Sequence, residues 1–73
     1  MNELKVGDKI KVTGFSCGYT ALHRLQAMGI IKDKILEIKS VNPMRGPYVV
    51  NVDKNEYTIG RGLFSKIIYE EVE

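Results

Sequence analysis

Thr20-Ala21-Leu22-His23-Arg24-Leu25-Gln26-Ala27-Met28-Gly29 is the one long stretch of this chain that reads as a helix. Ala21, Leu22, Leu25 and Met28 fall on a single apolar stripe at 3.6 residues per turn. Thr20 is the expected N-cap, its hydroxyl accepting from a first-turn amide. Gly29 sits where the chain needs a left-handed residue to leave the helix, and glycine takes that geometry without a Cβ clash. The helix has about nine residues and is roughly 13 Å long. That is too short to be stable alone, so its stripe must dock on something.

What it docks on is written on either side. Lys9-Ile10-Lys11-Val12-Thr13 alternates polar and apolar, which puts Ile10 and Val12 on one face of a strand. Residues 34–41 give a second strand, with Leu36 and Ile38 inward and Glu37 and Lys39 outward. Ile35 and Val41 are out of phase with that pair, which predicts a bulge or a strand covered on both faces. Tyr48, Val50 and Val52 share a face of a third strand. Asp53-Lys54-Asn55 then turns into Glu56-Tyr57-Thr58-Ile59, a hairpin. A short helical turn is expected over residues 63–66, and residues 67–72 form a fifth strand with an acidic tail. Five short strands with one helix after the first define a mainly β class. The expected architecture is a small, partly open barrel, with a flat five-stranded sheet carrying the helix as the alternative.

The chain has 73 residues, enough for one domain over 1–73. A domain of this size buries only about 60% of its unfolded surface. A cleft between domains, a Rossmann unit and a barrel of eight βα units are excluded by length. Hydrophobic residues make up 44% and charged residues 27%, values that argue for a folded domain and against disorder. The net charge is +2, and acids alternate with the lysines, as in Lys32-Asp33-Lys34. That is not the footprint of an obligate nucleic-acid binder. A single cysteine rules out an intramolecular disulfide framework and favours a reducing compartment. One cysteine with one histidine also rules out a self-contained Cys/His zinc finger. The longest charge-free stretch, residues 12–22, is too short and too glycine-rich to span a bilayer, which takes about 20 apolar residues. No signal peptide is read at the N-terminus. The expectation is a cytoplasmic protein that is not inserted in a membrane.

Few residues offer chemistry. Cys17 precedes the helix and His23 lies on its first turn, where the positive end of the helix dipole favours a thiolate and a neutral imidazole. Both are metal-binding forms, so Cys17 and His23 are weak candidate ligands for Fe²⁺ or another divalent transition metal. Further ligands would have to come from Asp, Glu, Met or a partner chain. The bland reading is an exposed histidine and a half-buried thiol. No G-x-S-x-G elbow surrounds Ser16, Ser40 or Ser65, and no phosphate loop of the G-x-x-x-x-G-K-[ST] type is present. An enzyme is not expected. Tyr19, Tyr48, Tyr57 and Tyr69 are too scattered among acids to make a stacking stripe with the lysines, so a nucleic-acid-binding small barrel is only a distant alternative. A proline-reading groove is disfavoured because the chain has no Trp.

Pro43-Met44-Arg45-Gly46-Pro47 stands apart from an ordinary turn. Two prolines restrict φ on either side of Met44 and Arg45, and stiff presentation lowers the entropy cost of binding. Methionine adapts to an apolar partner and arginine supplies a fork of donors. A sharp strand connection with no partner is the bland counterpart.

The order of these elements is recognisable. Leu25-Gln26-Ala27-Met28-Gly29-Ile30 closes the helix, Pro43-Met44-Arg45-Gly46-Pro47 follows, and Ile59-Gly60-Arg61 precedes the last strand. Together they make the chain resemble the FeoA family, small cytoplasmic proteins tied to bacterial ferrous iron uptake. The likeness runs from Leu4-Lys5-Val6-Gly7-Asp8 to Val72. It implies an SH3-like barrel and a non-enzymatic accessory role beside the FeoB-type iron permease, which carries a GTP-binding domain. It places the protein in the cytoplasm, peripheral to the inner membrane only through that partner. A related module ends DtxR-type metal-dependent repressors, so a transition-metal-ion-binding regulatory module is the alternative function. Gly29, Pro43, Gly46, Pro47 and Arg61 are the structural motif residues. The candidate partner-binding residues are Arg24, Met28, Met44, Arg45 and Tyr48, with core packing a competing role for Met28. Two departures stand out. The family's Pro-Gly after the Gly-Ile-x element is Lys32-Asp33 here, and aspartate tolerates a left-handed turn. The last strand reads Ile67-Ile68-Tyr69-Glu70 where the family pairs two apolar residues two apart. Cys17 and His23 match no metal motif of the family.

Overall fold

The computed structural model describes residues 4–42, 44 and 46–72. Pro43 and Arg45 therefore lie outside the described residues. The element order is β1 (Lys9–Phe15), α1 (Tyr19–Ala27), β2 (Ile35–Val41), β3 (Tyr48–Val52), β4 (Asn55–Ile59), α2 (Arg61–Phe64) and β5 (Ile67–Val72). The strands make one antiparallel sheet in the order β4-β3-β2-β1-β5. It curls into a partly open barrel, as the count of short strands predicts.

Two bulges supply the curl. On β1 the register with β5 shifts between Val12 and Gly14, and the extra residue, Thr13, donates its hydroxyl to the Ile68 carbonyl at 3.1 Å. On β2 the register with β3 shifts between Ile38 and Ser40. An inserted residue reverses the inward–outward phase beyond it and bends the strand. That is why Leu36 and Ile38 are fully buried and Val41 still packs on the core, while Ile35 faces out. The out-of-phase Val41 was thus the trace of a bulge. On β3, Tyr48, Val50 and Val52 point inward. Ile10, Val12, Leu25, Ile30 and Ile59 complete the centre of the core.

The helix begins two residues earlier than its sequence suggests. Gly18, extended at φ −77° and ψ −179°, is the N-cap in place of Thr20, and no side chain caps the helix. Glycine is nearly as good an N-cap as threonine. Starting there brings Tyr19 into the helix, four residues before His23, and the two rings meet at 4.4 Å, tilted by 50°. At the other end the exit is as expected. Gly29 has φ +82°, its N–H donates to Gln26 O at 2.9 Å, and the Ile30 N–H donates to Leu25 O at 3.1 Å. This is a Schellman closure, with Leu25 and Ile30 both in the core.

Among the described residues, aspartates take the two left-handed positions that lack glycine. Asp33 has φ +72° and Asp53 φ +59°. Asp33 takes the turn that the resemblance would give to a glycine, with Lys11 Nζ 3.8 Å from its carboxylate. Asp53 opens a tight β3–β4 turn, and Lys34 Nζ donates to both of its carboxylate oxygens at 3.2 Å. Asn55 already pairs with Val52, so β4 starts inside the triplet read as a turn. The short helical turn also lies earlier than residues 63–66. It spans Arg61–Phe64, because extended Gly60 serves as its N-cap and sets Phe64 against the core.

Candidate functional site

The β2–β3 connection and α2 meet through Arg61. Arg61 begins α2, and its aliphatic stem carries the guanidinium back over β3. Nε donates to the Gly46 carbonyl at 3.0 Å and Nη2 to the Asn42 carbonyl at 2.9 Å. The guanidinium carbon sits 4.5 Å from the centre of the Tyr48 ring. One planar cation thereby closes both ends of the loop and rests on the aromatic residue that follows it. Asn42 does a second job, its Oδ1 accepting from the Met44 N–H at 3.0 Å. A Cβ on Gly46 would collide with the Asn42 side chain, so only glycine allows the two to lie this close.

The consequence is a stiff support under an exposed tip. Met44 is 86% exposed, the most exposed large apolar residue described. Arg24 is exposed in the last turn of α1, and Met28 is half-buried against the core. Tyr48 is only 8% exposed and offers little surface to a partner. Its ring is instead the seat of the Arg61 guanidinium and packs on Phe64 at 4.5 Å, while Phe64 in turn meets Tyr69 at 5.8 Å. Burial raises the Tyr69 phenol above its ordinary value of 10.0, with smaller contributions from Tyr48 and Glu71. Reading the sequence picks out Arg61, Gly46 and Pro47 as motif residues, but not the clamp they belong to, nor Asn42 and Phe64. The only hint is Arg61 directly after a glycine at a strand end, since its partners lie 15 and 19 residues away.

Cys17 is half-buried before α1, and His23 is exposed on it against Tyr19. Among the described residues, no three His, Cys, Asp or Glu side chains gather into a group that could hold a metal ion. Among them, too, no helix is long and apolar enough to cross a membrane.

Comparison with known proteins places this arrangement. A family model described as the FeoA domain matches residues 1–71. The chain belongs to the FeoA family. It is 36% identical over 70 residues to a Methanocaldococcus jannaschii protein named Fe(2+) transport protein A, covering 94% of this chain and 82% of that protein. The crystal structure of an iron uptake regulatory protein, FeoA, matches it with a TM-score of 0.88 at 26% identity, over 96% of this chain and 92% of the other. ScaR, crystallised with bound Cd²⁺, matches with a TM-score of 0.83 at 16% identity, over 94% of this chain and 32% of that one, a likeness of fold alone. The FeoA-like elements of the sequence acquire physical meaning here. The Leu25 to Ile30 run is the Schellman exit of α1, and Gly46 and Arg61 are the two halves of one clamp.

Proposed function

We propose that this FeoA-family chain is a non-enzymatic accessory protein of ferrous iron transport. In this reading it docks on the soluble, GTP-binding region of a FeoB-type permease through Met44, with Arg45 and Arg24 as the further candidate contacts. The observation that carries the reading is the exposed Met44 on a loop fixed from below by Arg61. A loop already held in shape loses little entropy when a partner covers its tip. The polarizable Met44 thioether adapts to an apolar pocket, and the neighbouring arginine adds directional donors. The name of the M. jannaschii relative supports the pathway, and the family resemblance supports the partner.

The test is a titration of the permease's purified soluble region with wild type, Met44→Asp, Arg45→Glu and Arg24→Glu, each checked for folding by circular dichroism. Met44→Asp and Arg45→Glu should weaken binding at least about tenfold, the effect of losing about 1.4 kcal/mol. Wild-type affinity in both variants excludes this face.

A further inference from the structure

Between β5 and α2 runs a groove of about 770 Å³, lined by Tyr48, Arg61, Gly62, Phe64, Ile67 and Tyr69. Its volume lies in the range of small-molecule sites, roughly 300–1,000 Å³. We propose that this groove binds a small aryl carboxylate, with the carboxylate on the Arg61 guanidinium and the ring against Phe64 and Tyr69. The proposal does not depend on the docking face above.

Three observations specify that ligand. The first is a cation with donors left over. A guanidinium carries five N–H donors. Nε and Nη2 each give one to the loop, at Gly46 O and Asn42 O. Both acceptors are neutral carbonyls, and among the described residues no carboxylate lies within ion-pair distance of Arg61. What remains is the outer edge, Nη1 with the second Nη2 hydrogen, a planar fork that matches the two oxygens of a carboxylate. The second observation is the aromatic row that starts beneath this cation. The guanidinium rests on Tyr48, the Tyr48 ring meets Phe64 at 4.5 Å, and Phe64 meets Tyr69 at 5.8 Å. Phe64 and Ile67 are buried, while Tyr69 keeps 36% of its surface exposed. A flat ring gains contact along such a row, whereas a compact anion such as phosphate would cover little of it. The third observation is where negative charge already lies. Glu70 sits opposite Lys11 and Glu71 opposite Ile10, and neither lines the groove. Glu71 is felt at the Tyr69 end of the row, where it adds to the effect of burial in raising the phenol. A carboxylate is repelled from that end and drawn to the Arg61 end, which sets the ligand's direction.

The experiment titrates isotope-labelled full-length protein with phenylacetate. NMR follows the rings of Tyr48, Phe64 and Tyr69, the Ile67 methyls and the Arg61 Nε–H. Saturable shifts of these groups are the expected result. Phenylacetamide, which keeps the ring and loses the charge, should bind about tenfold more weakly, because charge-assisted hydrogen bonds are roughly twice as strong as neutral ones. Acetate, which keeps the charge and loses the ring, should not saturate at millimolar concentration. Gly62→Glu places a competing carboxylate beside Arg61, at a position whose Cβ would meet open space, and should weaken phenylacetate about tenfold. The acid–amide comparison uses wild-type protein, so it stands even if that variant unfolds. The proposal is overturned by the absence of saturable shifts at millimolar phenylacetate, or by shifts centred on α1 or β4. It is equally overturned if phenylacetamide or acetate binds as tightly as phenylacetate, or if folded Gly62→Glu binds as tightly as wild type. Tighter binding by the acetylated, amidated peptide Gly-Phe-Asp-Gly would assign the groove to a protein segment and also overturn it. No permease is present, so failure here leaves the docking test separate.

Discussion

Replacing Arg61 is the sharpest test of the clamp. Arg61→Met keeps most of the stem over Tyr48 and deletes two donors and a cation. The Nε bond to Gly46 O is part-buried, and the Nη2 bond to Asn42 O is exposed. Hydrogen bonds involving a charged group contribute about 1.5–3 kcal/mol net, and solvent lowers the exposed one. The contact with the Tyr48 ring adds about 0.5–1 kcal/mol at a partly wet site. With the exposed bond discounted, the expected loss is about 2–3 kcal/mol. A core of this size supplies roughly 3–5 kcal/mol, so the loss consumes most of the margin. At about 4–8 °C per kcal/mol, the melting temperature should fall by about 10–20 °C. Arg61→Lys restores a cation over the ring but not the planar fork, and should recover less than half of the loss. Urea denaturation followed by circular dichroism gives the three stabilities. Hydrogen exchange of the Met44 amide, which donates to Asn42 Oδ1, reports on the loop separately. A loss below about 0.5 kcal/mol in Arg61→Met would refute the clamp, as would full rescue by lysine.

Two further outcomes follow from single positions. Gly29→Ala forces a Cβ into φ +82° and to 3.4 Å from Val52 Cγ1, and should cost about 1–2 kcal/mol by urea denaturation; a neutral change would mean that the helix exit is not held by its tertiary contacts. Tyr69 supplies a pH dependence. Its phenol is raised in the folded protein, first by burial and then by Tyr48 and Glu71, so folding favours the protonated form. That contribution is complete below the unfolded value of about 10 and is lost as pH rises through the higher folded value. Tyr69→Phe should flatten the alkaline fall in the urea midpoint, and a variant that tracks wild type between pH about 9 and about 11 would refute the assignment.

What could be read from the chain divides along physical lines. Alternation is a local signal, so Ile10 with Val12 and Tyr48 with Val50 and Val52 declared their faces directly. A bulge also leaves a local trace, and Val41 out of step with Ile38 disclosed one on β2. The caps were less legible, because Gly18 and Thr20 are both competent starts, and the Tyr19–His23 contact that accompanies the earlier one exists only once the helix does. The clamp was hidden for a different reason. Carbonyl oxygens carry no residue identity, so nothing in Asn42 or Gly46 announces that its backbone accepts from Arg61. Tyr48 shows the same limit. Its place beside the proline loop suggests an exposed contact, yet its inward register on β3 buries the ring and turns it into a platform.

The span of that clamp has a bearing on the order of events during folding. The loop between β2 and β3 belongs to the first half of the sheet, but the cation that shapes it arrives only after β4 has been laid down and α2 has turned. A chain that ended before Arg61 would lack both bonds, to Gly46 O and to Asn42 O, while keeping the β2–β3 pairing partners. The shape of the tip is thus tied to the C-terminal third of the chain, by bonds that reach back 15 and 19 residues.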